Sequence, residues 1–522
     1  MSPGGAFSEV AMKRPFPFSR CIRPAALLAF TALLALPPAV PAQFTGPEPA
    51  AKSAMPPVDL RDPEGLGKNG DAAFANEEWL KAAANYNALI TIGRKVGVPQ
   101  EQLEPLYYMV GLTLFLSSHE IEALKHLKEY ETLFPKDSKI DQVKLAIARC
   151  LRAQKKWAEA IPYYKPLADK AAFREEVLVE LAEAYRDNSE PDKAITFLET
   201  KLATGLKNRE DVRAALVLAD LRAASPDKAL GWLERIKGLE RIKVLPFAAC
   251  YVAEANLAAM KCAEVQMQAE KFEDALDAYQ YLRPKSDVLT SLETRVREYE
   301  EELGELSAKK EVKGLKGAPA LLRIHRLKGL LEDTKRLSAA VAREAEYDAV
   351  FTYRKGRCLA ALQRYEEAGA AFQDVYSRYP KFTDRPNVLY ALAYSRYMQV
   401  PENPGRVDLK MVDAADQLLA EFLNQWGRDR SESSQVADMR IQLATRTKDS
   451  ARLNKVLEEL DSQLKGSPSW SCNMVQYINA LLGQKEFAKA KTLIERFLTL
   501  TAPDDPHRKE VEELKKQIPE QK

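Results

Sequence analysis

Four times in this chain a small residue is followed twelve positions later by alanine, and four after that by a bulky apolar side chain. The sets are Gly111, Ala123, Leu127; Ala148, Ala160, Tyr164; Ala182, Ala194, Leu198; and Gly356, Ala368, Phe372. Ala160 and Ala194 stand 34 residues apart, and Ala194 and Ala229 stand 35 apart. A period of that size with this internal spacing marks helix–turn–helix units, which bury their apolar faces only against neighbouring copies. The small residue and the alanine sit where two helices cross closely, and a larger side chain would force them apart. The pattern predicts an all-α chain.

Length and composition agree. A chain of 522 residues suits an extended array or several domains better than one compact core. Hydrophobic residues make up 46% and charged residues 29%, the balance of a folded protein and not of a disordered one. Histidine is scarce, with only His119, His126, His325 and His507, so acid–base catalysts are few.

The N-terminal 42 residues read as an export signal. Met12-Lys13-Arg14, with Arg20 and Arg23, precedes the apolar run Ala25–Leu36, and Val40-Pro41-Ala42 supplies small residues for cleavage before Gln43. The run is too short for an ordinary membrane-spanning helix, and residues 1–11 add nothing a signal needs, so Met12 is the expected start. Removing residues 1–42 takes away a net charge of +3 and leaves −1, which offers no general pull toward nucleic acid. Cys150, Cys250, Cys262, Cys358 and Cys472 remain, odd in number and scattered through helical patterns. They are expected as apolar fillers and not as a disulfide framework.

Residues 43–70, rich in Pro, Gly and Ala, are expected to form a flexible linker. Helical periodicity is expected to begin at Asp71 as an N-cap, with Trp79, Ala82, Tyr86 and Leu89 on the second helix of a repeat whose first helix has decayed. An N-terminal array then covers 71–285. Around Ala229 the small residue is missing from register, and Ala275 follows a long first helix. Residues 286–348 break the rhythm: Leu289, Leu292, Val296, Tyr299, Leu303 and Leu306 form a narrow seam, and Leu321, Ile324, Leu327 and Leu331 form another after the loop Lys309–Pro319. This is either a long helical hairpin inserted between two arrays or a pair of overlong repeat helices. A second array covers 349–503, with an insertion Pro401–Asp408 between Ala393 and Ala415. Residues 504–522 supply a capping helix and tail.

Quoted in register, Gly356, Leu359, Tyr365, Ala368, Phe372 and Pro380 resemble a tetratricopeptide repeat, and the other sets resemble it less completely. The resemblance covers most of 72–503. It implies a right-handed superhelix with first helices on the inner curve, and protein or peptide partners. The segment Tyr353–Tyr397 also resembles repeats of bacterial cell-envelope proteins. The basic and Asn clamp that some family members use for C-terminal carboxylates is not recognisable here.

His119-Glu120-Ile121-Glu122-Ala123 begins like a helical zinc-protease motif, but Ala123 replaces the required second histidine. His119 and His126 are expected as exposed helix histidines without a third ligand. No phosphate loop, dinucleotide glycine pattern, serine elbow or Cys-x-x-Cys pair appears. No cofactor, metal or nucleic acid is expected.

One surface stands out. Tyr390, Tyr394 and Tyr397 share a face of one helix, and Tyr353 and Arg357 occupy the corresponding face of the preceding first helix. Tyrosine and arginine supply binding hot spots. These five residues are the expected partner-binding groove; the competing expectation is that the tyrosines pack under Pro401–Asp408. The chain is thus expected to be an exported, periplasmic or envelope-associated, non-catalytic scaffold for a protein or peptide, with no transmembrane segment after cleavage. The alternatives are a homo-oligomer assembled through 286–348 and an enzyme acting on cell-wall polymers.

Overall fold

The computed structural model describes residues 55–241, 250–308, 318–427, 430–467 and 469–519. The expected signal segment, its cleavage site near Ala42 and most of the loop Lys309–Pro319 lie outside the described residues. Among the described residues there are twenty-three α-helices and no strand. The first ten are α1 Pro63–Ala75, α2 Trp79–Lys95, α3 Gln100–Leu116, α4 Glu120–Leu133, α5 Ile140–Ala153, α6 Trp157–Ala168, α7 Ala171–Asp187, α8 Pro191–Leu202, α9 Arg209–Leu221 and α10 Pro226–Arg241. Then come α11 Val252–Gln268, α12 Phe272–Tyr279, α13 Lys285–Ala308, α14 Ala318–Arg343, α15 Tyr347–Ala361, α16 Tyr365–Arg378 and α17 Arg385–Gln399. The last six are α18 Leu409–Trp426, α19 Ser433–Arg446, α20 Ser450–Leu464, α21 Trp470–Gly483, α22 Phe487–Leu500 and α23 Arg508–Lys515. No described helix is long and apolar enough to cross a membrane.

Most consecutive helices pack on one another, and the crossings fall on the predicted residues. A Cβ added to Gly111 would stand 2.6 Å from Leu127, and one added to Gly356 would stand 2.7 Å from Phe372, so a larger residue at either position would have to displace the facing side chain. Ala123, Ala160, Ala194, Ala229, Ala275 and Ala368 are wholly buried. The turn inside many of the pairs is also repeated. Glu77, Ser118, Lys155, Ser189, Glu270, Gln363, Lys448 and Lys485 all adopt φ between 57° and 63°. The next amide usually reaches back to the end of the first helix, as in His119 N to Leu114 O (2.9 Å) and Arg364 N to Leu359 O (2.9 Å). This left-handed closure satisfies carbonyls that the helix end would otherwise leave unpaired.

That register completes two units that the sequence showed only in part. Glu77 lies seven residues after Gly70, with Ala82 and Tyr86 twelve and sixteen after it; Glu270 relates in the same way to Ala263, Ala275 and Tyr279. The first helix of the first unit has therefore not decayed. It is α1, capped by Asp62, whose carboxylate accepts from Gly65 N at 2.9 Å, with Pro63 opening the helix. Asp71 is not a cap; it lies within α1 and accepts a hydrogen bond from the Tyr86 hydroxyl at 2.8 Å. The linker expected over 43–70 thus ends before Pro63. Proline and glycine misled the composition argument, because Pro63 starts a helix and Gly70 lets one pack.

The repeats are interrupted by a hairpin. α12 packs directly on α15, while α13 and α14 pack on each other. The predicted seam is the contact: Tyr299 with Leu327 and Leu331, flanked by Val296, Leu303 and Leu306, and Leu292 with Val341. Two overlong repeat helices would instead have separated α12 from α15. At the far end, α23 buries Val511 and Leu514, and Arg508 Nη1 donates to the carbonyls of Leu498 (3.0 Å) and Thr501 (3.1 Å), closing the exposed end of α22.

His119 and His126 are not exposed. His119 is the N-cap of α4, its Nδ1 within 2.9 Å of the Ser117 carbonyl, and His126 keeps 15% of its side-chain surface, beside Glu129. Cys150, Cys250, Cys262 and Cys358 are buried and Cys472 is half-buried.

Candidate partner-binding face

The first helices α15, α17 and α19 stand side by side, and all five predicted site residues lie on α15 and α17. Four of the five are buried. Tyr353 packs edgewise among Phe372 (ring centroids 5.7 Å) and Phe382 (5.9 Å). Arg357, 6% exposed, lies 6.0 Å from the Tyr353 ring centroid, and its Nε and Nη2 meet no hydrogen-bond partner among the described residues. Burial lowers the proton affinity of its guanidinium, a cost that the nearby Tyr353 and Tyr279 partly offset. Asp384 lies in the same region; burial raises its carboxyl, and Asn387, Arg430 and Tyr353 pull it back.

On α17, Tyr390 and Tyr397 bridge to the next first helix. Tyr390 donates to Gln435 Oε1 at 2.8 Å and packs on Phe422 at 5.9 Å. Tyr397 donates to Gln442, while Arg446 Nη2 donates to the Tyr397 hydroxyl at 2.9 Å and its guanidinium covers the ring at 4.7 Å. Tyr390 and Tyr397 therefore pack against α19. The segment Pro401–Asp408 carries an exposed 3₁₀ turn at Pro404–Arg406.

Tyr394 differs. It is half-buried, stacked on Tyr390 (6.4 Å, 22° between ring planes), tilted on Tyr397 (6.5 Å) and edgewise to Tyr365 (6.1 Å). Burial, then the neighbouring Tyr365, pushes its hydroxyl up to about 12, so the ring is neutral at any physiological pH. One turn further, Met398 is 39% exposed, among the few large apolar side chains that solvent sees. The face thus carries the half-buried rings of Tyr394 and Tyr365 and an adjacent thioether, backed by buried Tyr390 and Tyr397. Such a ring loses little entropy when a partner covers it. Among the described residues no group of three or more His, Cys, Asp or Glu is arranged to hold a metal.

Gln435, Gln442 and Arg446 were not anticipated from the sequence. The two glutamines stand seven apart on a helix whose other face buries Val436, Ala437, Leu443 and Ala444, which marks them as one polar stripe.

Two family models, each described as tetratricopeptide repeat, match the chain, one over residues 352–381 and the other over 177–213. A search of curated proteins finds no match. Among solved structures, the chain is similar to Naa15/Naa10 bound to HypK-THB, at 15% identity and a TM-score of 0.28, covering 87% of this chain and 65% of that one. It is similar to the APC/C hetero-tetramer Cut9-Hcn1 at 12% identity and a TM-score of 0.32, covering 88% and 97%. It is also similar to yeast Tom70 at 13% identity and a TM-score of 0.20, covering 87% and 95%. The chain spans just under two thirds of the length of the first of these.

Proposed function

Taking as premise that this chain is a tetratricopeptide repeat protein, we propose that it is a non-catalytic scaffold that holds a protein partner on the first-helix face of its C-terminal repeats. The observation that carries this reading is Tyr394: a half-buried ring beside exposed Met398, stacked on Tyr390 and tilted on Tyr397, which are themselves tied to α19. Rigid aromatic anchors with apolar surroundings are where binding energy concentrates. Tyr390 and Tyr397 act behind it and set the ring's position, while Tyr353 and Arg357 pack in the neighbouring unit.

The work of the scaffold lies, on this reading, in the cell envelope. Support comes from the basic segment at Met12–Arg14, the apolar run Ala25–Leu36 and the small residues before Gln43. The homo-oligomer reading is weaker, because the hairpin spends its apolar seam within the chain.

The paired change Tyr394→Ala and Met398→Ala tests the site. It is expected to weaken partner capture in a pull-down from the native extract by at least tenfold, with circular dichroism unchanged, since neither side chain is fully buried. Capture at the unaltered level by a helical variant removes Tyr394 from the interface.

A further inference from the structure

Continuity of the repeats does not require α13 and α14, since α12 meets α15 without them. Yet α14 reaches back to helices far earlier in the chain. Leu321 and Leu322 join the core built by α1 to α8. The His325 ring lies 4.8 Å from that of Phe115 on α3. Arg326 is the centre of the contact: its Nε lies 3.2 Å from Glu180 on α7 and its Nη2 lies 3.2 Å from Glu210 on α9. All three side chains are 7% exposed. Lys328 adds an exposed pair with Glu77 at 3.2 Å.

Residues 321, 322, 325 and 326 fall on one face of a helix, and Leu327 and Leu331, which meet α13, fall on another. α14 therefore rests by an apolar, arginine-centred face on α3, α7 and α9, each a first helix or its counterpart. The C-terminal repeats present Tyr394 on helices of this same kind.

We infer that the first-helix face of the N-terminal repeats is a receptor groove for an amphipathic helix bearing arginine, and that α14 fills it as the chain's own occupant. The trans occupant is a helix of a partner protein with the same chemistry: two adjacent leucines, then arginine one turn on, to lie between Glu180 and Glu210. Glu180 and Glu210, carboxylates from different repeats that also pair with Arg149 and Arg213, converge on one guanidinium and fix the register of the incoming helix. A cis occupant lowers the apparent affinity for any trans helix by the fraction of time it stays docked. The inference rests on the protein-binding reading above and extends it to a second surface.

The test uses the full chain and a fluorescent synthetic peptide of residues 318–343. The unaltered chain is expected to bind the peptide weakly. Arg326→Glu in the chain sets a carboxylate against Glu180 and Glu210, releases α14, and is expected to tighten peptide binding by at least tenfold. A peptide carrying R326E is expected to lose that gain. A helical R326E chain that binds neither peptide, or both alike, overturns the inference. Should that variant fail to fold, hydrogen exchange of the unaltered chain decides: α14 amides exchanging well ahead of those in α3 and α7 support a detachable occupant, and exchange in step with them overturns it. Tyr394 takes part in neither arm, so failure here leaves the C-terminal site standing, and failure at Tyr394 leaves the peptide result standing.

Discussion

Glu180→Gln is expected to destabilise the N-terminal repeats by about 3–5 kcal/mol, the usual cost of removing one partner from a buried ion pair. Glu180 accepts from Arg149 Nε and Nη2, both at 3.0 Å, and from the Tyr164 hydroxyl at 3.1 Å, besides pairing with Arg326. Burial pushes its carboxyl up, but Arg149, Arg326 and Arg152 outweigh that and hold it at about 2. Glutamine keeps the shape and loses the charge, leaving those guanidiniums to Glu176, Glu183 and Glu210. The sign of the pH dependence follows. A carboxylate with a depressed pKa contributes stability above its unfolded value, near 4.5, and loses it as the pH falls toward 2. The gap between the native chain and Glu180→Gln should therefore narrow between about pH 5 and pH 2. His325, held by burial at about 4, moves the native chain the same way from its ordinary value of 6.5 downward, because the unfolded form takes up the proton first. Urea midpoints with hydrogen exchange resolved along α3–α9 measure both effects; a gap under about 1 kcal/mol at neutral pH would show that the network contributes little.

The second large effect is expected at Phe372. Its ring fills the space left by Gly356 and meets Tyr353 at 5.7 Å. Phe372→Ala should cost about 3–5 kcal/mol, as expected for an aromatic ring removed from a tightly packed site. In a stack where each unit touches only its neighbours, the loss should stay local. Protection from hydrogen exchange should fall across α15–α17 and remain unchanged in α3–α6. A uniform loss along the whole chain would mean that the repeats unfold as one cooperative body.

These two sites differ in how plainly the sequence announces them. Gly356 and Phe372 obey a steric rule that acts within one helix pair, so fixed spacing discloses both, as it does for Gly111 and Leu127. Gly70 obeys the same rule and was hidden only because its neighbours resemble a linker. Glu180 carries no such signal. A glutamate among Leu178, Leu181 and Ala182 looks like part of a solvated face, and its partner Arg326 sits in a segment outside the repeat. Ion pairs such as Arg326–Glu210 close over 116 residues, a distance that no local pattern spans.

The candidate site was legible to a similar degree. Helical spacing grouped Tyr390, Tyr394 and Tyr397 on one face, but it did not say which ring a neighbouring helix would cover. Gln435 and Gln442, each 45 residues beyond its tyrosine, make that decision by bonding Tyr390 and Tyr397 and leaving Tyr394 partly open. Arg357, chosen as the polar edge of a groove, is instead buried beside Tyr353.

A photo-crosslinking amino acid placed at position 394, compared with one at exposed Ile121 on the second helix α4, is the most direct measurement of where the partner sits. Covalent capture of a discrete protein from position 394, with none from 121, is the predicted result. Equal capture from both positions, or capture from 121 alone, would contradict the first-helix face as the binding surface.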